Sequence, residues 1–386
     1  MKVIISIDPI RFPLTGIGRY TYELIRHLKK NDAIADLAYF SGRRVVNELP
    51  MANQTSAGVE GVDFSTLKRW VQRNPVASEA YRQFLPFIQR HALKNYADYL
   101  YHGPNFYLPA TPGLKVATFH DLSPFTWAHC HPPERVRFMQ KEIGRTLKTA
   151  DALITDSEYT RKELAEYFSW PLERIHTVPL ASSPEFFPRA AHEVQPVLAE
   201  YGLEPGEYSL YVGTIEPRKN LITLLDAYSR LPVNLRQRWP LILAGYKGWQ
   251  SDAIHARIHQ AEREGWAKYL GFTPAEHLPL LYSGARLFVF PSHYEGFGLP
   301  VLEAMSSGVP VVCSNSSSLP EVVGDVALMT APDDVAGFTD LLRRGLEDDN
   351  WRSQASAQGI DRAALFSWAG CAQATTDVYR SVLQHL

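Results

Sequence analysis

Short apolar runs alternate with helix-like periods along most of this chain, and that alternation constrains its fold more than any other feature. The first half carries "KVIISID" at the start, "YLYHG" at 99–103, "KVATFHD" at 115–121, "ALITDS" at 152–157 and "IHTVPLA" at 175–181. The second half carries "YSLYVGT" at 208–214, "PLILAG" at 240–245, "YLGF" at 269–272, "RLFVFPS" at 286–292 and "VPVVCS" at 309–314. Strands apolar on both faces, separated by helices, specify parallel sheets covered on both sides. Two such series predict two doubly wound α/β units. The Pro-rich stretch 182–196, "SSPEFFPRAAHEVQP", lacks a clear period and is expected to link them. The length of 386 residues fits two domains.

Composition narrows the function. Lys+Arg 39 against Asp+Glu 41 leaves a net charge of -2, which gives no global drive toward nucleic acid. Cys130, Cys313 and Cys371 are far apart and show no zinc spacing, and so sparse a set fits a reducing cytoplasm. The opening "MKVIISID" reads as a strand rather than a signal peptide. No run of about 18 apolar residues is present to span a membrane.

Open parallel sheets bind ligands at the carboxyl ends of their strands. The polar motifs of this chain stand at such ends. In "HYEGFGLPVLEAMSSGVPVV", 293–312, Gly296 and Gly298 permit close backbone approach, Pro300 suits a first helical turn, and Gly308 suits the helix end. The helix start offers unpaired N–H groups to an anion. Glu303, one turn inside, suits a ribose diol, and Glu295 suits a second polyol. The plainer alternative makes Glu303 a helix-favouring acid and Glu295 a solvated one. In "GTIEPRKNLITLLDAY", 213–228, Asn220 is expected to cap a helix, with Arg218 and Lys219 just before it. Two cations there suit a diphosphate, or else form an ordinary basic turn. In "DPIRFPLTGIGRYTYELIRHL", 8–28, Gly16 and Gly18 form a turn before a helix expected near Arg19. Thr21 stands where a third glycine would complete a dinucleotide fingerprint, which disfavours classical NAD binding. His120 ends a strand in "ATFHDLSPF", where it serves a substrate hydroxyl or sits buried and satisfied. The chain contains no Asp-x-Asp, so Arg218 and Lys219 are expected to neutralise a leaving diphosphate without metal.

Taken together, the chain resembles family 4 of the retaining glycosyltransferases, with the GT-B fold. The resemblance rests on the Glu-x7-Glu pattern "EGFGLPVLE" at 295–303, on "GTIEPRKN" at 213–220, on "KYLGFTPAEHLPLLYSGA" at 268–285 and on "TGIGRY" at 15–20. It implies two Rossmann-like domains facing across a cleft: 1–187 on the acceptor side, 188–365 on the donor side, and a helix over 366–386 returning to the first domain. It implies that Arg218 and Lys219 contact the donor diphosphate, Glu295 the donor sugar and Glu303 the ribose. Backbone at Phe297, Gly298 and Leu299 would approach phosphate and sugar. Gly16 and Gly18 would border the donor phosphate and the reaction centre, and His120 would touch the transferred sugar in a supporting or catalytic role. Residues near Gly245, Tyr246, Lys247 and Phe272 would border the base.

The expected activity is retaining transfer of a hexose. The best match is mannose or a 6-deoxymannose from a GDP-sugar, moved to a glycan or lipid-linked glycan acceptor in bacterial surface polysaccharide synthesis. No cofactor is expected. A UDP-sugar enzyme of the same fold and a non-catalytic sugar-nucleotide binder are the alternatives. The setting is cytoplasmic, with peripheral attachment to an anionic membrane face through 66–95. There Lys68, Arg69, Arg73, Arg82, Arg90 and Lys94 interleave with Trp70, Tyr81, Phe84, Leu85, Phe87 and Ile88. Pro75 and Pro86 are expected to interrupt any long helix there.

Overall fold

The computed structural model describes residues 1–50 and 75–384, with the backbone alone for 75–83. Its first sheet comprises β1 (Lys2–Ser6), β2 (Asp36–Phe40), β3 (Val45–Val46), β4 (Leu100–Gly103), β5 (Lys115–Phe119), β6 (Ala152–Thr155) and β7 (Ile175–Thr177). Their order is β3-β2-β1-β4-β5-β6-β7, parallel except for the β2–β3 pair. The second sheet comprises β8 (Ser209–Val212), β9 (Leu241–Ala244), β10 (Ala267–Gly271), β11 (Leu287–Phe290), β12 (Val311–Ser314) and β13 (Leu328–Thr330). It runs β10-β9-β8-β11-β12-β13 and is parallel throughout. Each sheet reverses its winding once, between β1 and β4 and between β8 and β11. Those reversals open crevices at the strand ends.

The strands are apolar because both faces are covered. β5, β6, β9 and β11 are buried at every residue. β2 and β13 escape a reading of apolar runs because they are half-buried and stand at or near the sheet edges. The helix Trp368–Gln384 lies against the helix Gly16–Leu28 of the first unit. Tyr379 on it hydrogen-bonds the buried His102 Nδ1 on β4 (2.6 Å), and Trp368 Nε1 donates to Ser182 O (3.0 Å).

Four local expectations need correction. The linker is shorter than 182–196, because a helix Ala191–Glu200 begins inside it and accommodates Pro196. The helix expected near Arg19 begins at Gly16, so both glycines lie in its first turn under the Thr15 cap. The helix Pro75–Ala92 runs through Pro86. Asn220 stands before the helix Leu221–Ser229 with φ 56°, and its side chain does not cap it. Instead its Nδ2 donates to Pro291 O (3.1 Å) and Pro332 O (2.6 Å), tying together the loops after β11 and β13.

Candidate active site

The loops after β8 and β11 flank the second crevice, and they are the segments 213–220 and 291–298. Side chains lock one to the other. Lys219 Nζ donates to Glu295 Oε1 (2.6 Å), and Arg218 Nη1 donates to Tyr294 O (2.9 Å) while lying 3.8 Å from Glu295 Oε2. Arg218 also clasps Glu216 Oε1 through Nε and Nη2 (3.1 and 2.8 Å). Glu295 accepts a further bond from Ser292 Oγ (2.6 Å), and its N–H donates to Ser317 Oγ (2.9 Å). Glu295 is thus buried and paired rather than solvated. Burial works against the Arg218 charge, but Glu295, Asp121 and Glu216 outweigh it and raise its pKa. Burial and then the Arg218 charge lower the Lys219 ammonium, although Glu295 opposes them. Charges this dry interact strongly.

The segment after Glu295 is shaped by two glycines. A Cβ on Gly296 would lie 1.6 Å from His120 O, so this second-unit loop touches the first unit's backbone there. Gly298 has φ 111°, a conformation that favours glycine, and it starts the helix Leu299–Ser306. Pro300 sits in its first turn and Gly308 follows its end. The N–H groups of Phe297, Gly298 and Leu299 find no acceptor among the described residues. With the helix dipole behind them, such open N–H groups are of the kind that suit an anion. Glu303 lies one turn further in, beside the Tyr282 hydroxyl. Burial pushes its carboxyl up to about 7, against the pull of the Arg19 guanidinium from the first unit.

The first unit contributes a different arrangement. His120 Nδ1 faces Asp156 Oδ2 (2.7 Å) and Nε2 faces Pro104 O (2.9 Å). This ring joins the ends of β4, β5 and β6. Both of its partners are acceptors, so the pair shares two protons across the ring nitrogens. Burial alone would depress the imidazole, but Asp156 outweighs it and raises the pKa. Held this way, the ring has no free nitrogen to take a proton. Gly18 N–H donates to Thr15 Oγ1 (3.4 Å), and a Cβ on Gly16 would lie 3.9 Å from the Leu299 side chain. The glycine turn and the start of the helix Leu299–Ser306 therefore meet.

A cavity of about 560 Å³ lies between the units, with Ile17, His120, Arg218 and Lys219 in its wall. Glu295, Phe297 and Glu303 are not among its lining residues. Asp121, Glu216, Arg135 and Trp249 do line it and were not singled out from sequence. Asp121 is adjacent to His120, and Glu216 lies inside the 213–220 motif. Arg135 and Trp249 carried no local signal. Burial would raise the Asp121 carboxyl, but Arg218 and the Ser123 N–H (2.9 Å) hold it below its ordinary value.

Residues 14–186 match the family described as "Glycosyltransferase Family 4", and residues 199–362 match "Glycosyl transferases group 1". The chain is 46% identical to O-antigen chain mannosyltransferase B of Escherichia coli, over 98% of this chain and 100% of that protein. This chain belongs to glycosyltransferase family 4. It is also 34% identical to the serotype-specific mannosyltransferase WbdA of Escherichia coli, over 71% of this chain and 34% of that longer protein. Two solved structures share the fold. Sucrose-phosphate synthase from Thermosynechococcus elongatus superposes with a TM-score of 0.69 at 22% identity, covering 100% of both chains. WaaG, a glycosyltransferase involved in lipopolysaccharide biosynthesis, gives 0.67 at 15% identity, covering 98% of this chain and 99% of that one. The GT-B fold and glycosyltransferase activity expected from sequence are borne out.

Proposed function

We propose that this family 4 glycosyltransferase moves mannose from GDP-mannose, with retention, to a glycan or lipid-linked glycan acceptor during surface polysaccharide synthesis. A GDP-6-deoxymannose is the alternative donor. The observation that carries this reading is the Arg218–Lys219–Glu295 cluster beside the open N–H groups of Phe297, Gly298 and Leu299. The likeness to an O-antigen chain mannosyltransferase along nearly the whole chain supports the choice of sugar.

In this reading the diphosphate sits on the open amides, with Arg218 and Lys219 beside it. Glu303 accepts the ribose hydroxyls and Glu295 the sugar hydroxyls. The exposed rings of Tyr246 and Phe272, stacked 4.9 Å apart after β9 and β10, border the base. Breaking the bond from anomeric carbon to phosphate oxygen places charge on the diphosphate, where the two cations stabilise it. The acceptor oxygen bonds to the anomeric carbon on the same face, and its proton passes to the departing phosphate oxygen. His120, with both nitrogens engaged, supports the sugar without taking that proton.

Membrane attachment is proposed separately. Lys68, Arg69, Trp70 and Arg73 lie outside the described residues, and so do the side chains of Tyr81 and Arg82. Phe84, Phe87 and Ile88 are exposed on the helix Pro75–Ala92, with Arg90 in its last turn. Among the described residues no helix is long and apolar enough to cross a membrane. Exposed rings beside basic residues suit an anionic interface.

A panel of nucleotide sugars with lipid-linked glycan acceptors, followed by linkage analysis, tests the function. Transfer of mannose or 6-deoxymannose from a GDP-sugar with an α-linkage supports it. Exclusive use of a UDP-sugar, or an inverted linkage, overturns it. Flotation on anionic vesicles that fails at all salt concentrations would refute the membrane proposal.

A further inference from the structure

Tyr294 stands one residue before Glu295, yet its side chain crosses to the other unit. Its hydroxyl donates to Glu163 Oε2 (2.5 Å) and accepts from Leu122 N–H (2.8 Å). The ring is buried, and its backbone carbonyl holds Arg218. The helix Glu158–Phe168, which carries Glu163, receives two more contacts from the donor side. Glu321 accepts from the N–H groups of Glu158 (2.8 Å) and Tyr159 (2.6 Å). Gly296 O accepts from Ser157 Oγ (2.7 Å) and Thr160 Oγ1 (3.1 Å). A helix start has unpaired N–H groups and favours a carboxylate. Here that carboxylate comes from the opposite unit.

We propose that Tyr294 is a positioning residue that makes closure of the cleft and orientation of Glu295 a single event. Its hydroxyl binds the first unit, while its carbonyl fixes Arg218 and its peptide carries Glu295. When the units separate, the loop loses its anchor, and Glu295 and Arg218 lose their register with the first unit. Closure therefore completes the donor-sugar site. This rests on reading Glu295 as the donor-sugar ligand.

The clasp also carries a pH dependence. Glu163 is faced by the Tyr294 and Tyr159 hydroxyls and by the Asp121 carboxylate. Burial, with Asp121 adding to it, holds the Glu163 carboxyl up at about 7 against the Tyr294 hydrogen bond. A carboxyl raised on closing takes up a proton as the cleft closes. Proton-linked support for closure is therefore full below the ordinary value of 4.5, falls as pH rises from there to about 7, and is lost above that.

Amide exchange and steady-state kinetics on the full chain, with GDP as the binding probe, test the clasp. In Tyr294→Phe, exchange at Leu122, Glu158 and Tyr159 rises about tenfold and kcat falls about tenfold, while GDP affinity stays within about twofold. Glu163→Gln imitates the protonated carboxyl. It keeps the protection and flattens the loss of kcat between about pH 4.5 and about pH 7. Wild-type exchange and kcat in Tyr294→Phe would overturn the proposal. So would an alkaline limb that survives in Glu163→Gln. If no nucleotide sugar is a substrate, the functional reading fails. The exchange comparison with and without GDP still decides whether Tyr294 holds the units together.

Discussion

The two units bring opposite kinds of polar site to one cleft. The C-terminal unit concentrates full charges, Glu216, Arg218, Lys219 and Glu295, in two loops at its sheet's reversal point. The N-terminal unit offers one buried pair, His120 and Asp156, whose imidazole is held between Asp156 Oδ2 and the carbonyl of Pro104. The first arrangement is suited to exchanging partners with a charged ligand, because its cations are held by carboxylates that also suit sugar hydroxyls. The second is suited to holding shape, because both imidazole nitrogens are already matched. In the proposed reading, donor chemistry belongs on one side of the cleft and a fixed wall on the other.

The largest effect should come where the two sides touch. Gly296→Ala places a methyl carbon 1.6 Å from His120 O, where backbone faces backbone. The units must move apart, and a misplacement of about 1 Å can cost about 100-fold in rate. We expect a loss of more than about 100-fold in kcat with little loss of thermal stability. Near-normal turnover would mean that this contact is not part of the working state.

The contrast between the sides is tested by a pair of substitutions. Glu295→Ala leaves Lys219 buried without its 2.6 Å partner and should lower kcat about 100-fold, since breaking a buried pair costs about 3–5 kcal/mol. Asp156→Asn keeps a hydrogen-bond acceptor for His120 and removes only the charge, so about a tenfold loss is expected. Donor hydrolysis and transfer rates measure both. Equal losses would erase the distinction between an exchanging site and a fixed wall.

Legibility in the sequence follows the same division. The β8 and β11 loops could be read because each places its charges within a few residues of a strand end. Glu295, Glu303, Arg218 and Lys219 were therefore visible as a group. Asp156 was not, because it lies 36 residues from His120 and meets it only through the pairing of β5 with β6. Glu321 and Glu163 were invisible for the same reason. Gly296 was read correctly as a point of close approach, but the approaching group is the other unit's backbone. The position of Asn220 suggests a cap, whereas two loop carbonyls claim its side chain. The alternation of apolar runs revealed both sheets and missed the half-buried β2 and β13.

A smaller effect should appear in nucleotide binding. Glu303→Ala should weaken GDP affinity about tenfold, because a hydrogen bond to a charged group contributes about 1.5–3 kcal/mol. The sign with pH follows from the raised carboxyl. Glu303 has a pKa of about 7 in the free protein, and a ribose diol needs the ionised acceptor. GDP affinity should therefore fall as pH drops below about 7, and this dependence should vanish in Glu303→Gln. Calorimetric titration at several pH values decides it. Glu295→Ala weakening GDP as much as Glu303→Ala would contradict the division between sugar and ribose.

The smallest effect expected is that of a chelator. A divalent cation serves such reactions by neutralising the diphosphate, and it needs clustered oxygen ligands to stay in place. The carboxylates nearest the proposed diphosphate site are occupied otherwise. Glu295 is held by Lys219 and Ser292, Glu216 by Arg218, and Asp121 lies under the Arg218 field. A metal entering there would face two buried cations, and among the described residues no three His, Cys, Asp or Glu side chains are grouped to hold one. Arg218 and Lys219 already supply the charge that the metal would bring. Transfer in excess EDTA should stay within about twofold of the untreated rate. Strict dependence on added Mg²⁺ or Mn²⁺ would assign neutralisation to a metal. It would leave Arg218 and Lys219 as structural partners of Glu216 and Glu295, and the C-terminal unit would then be as self-satisfied as the N-terminal one.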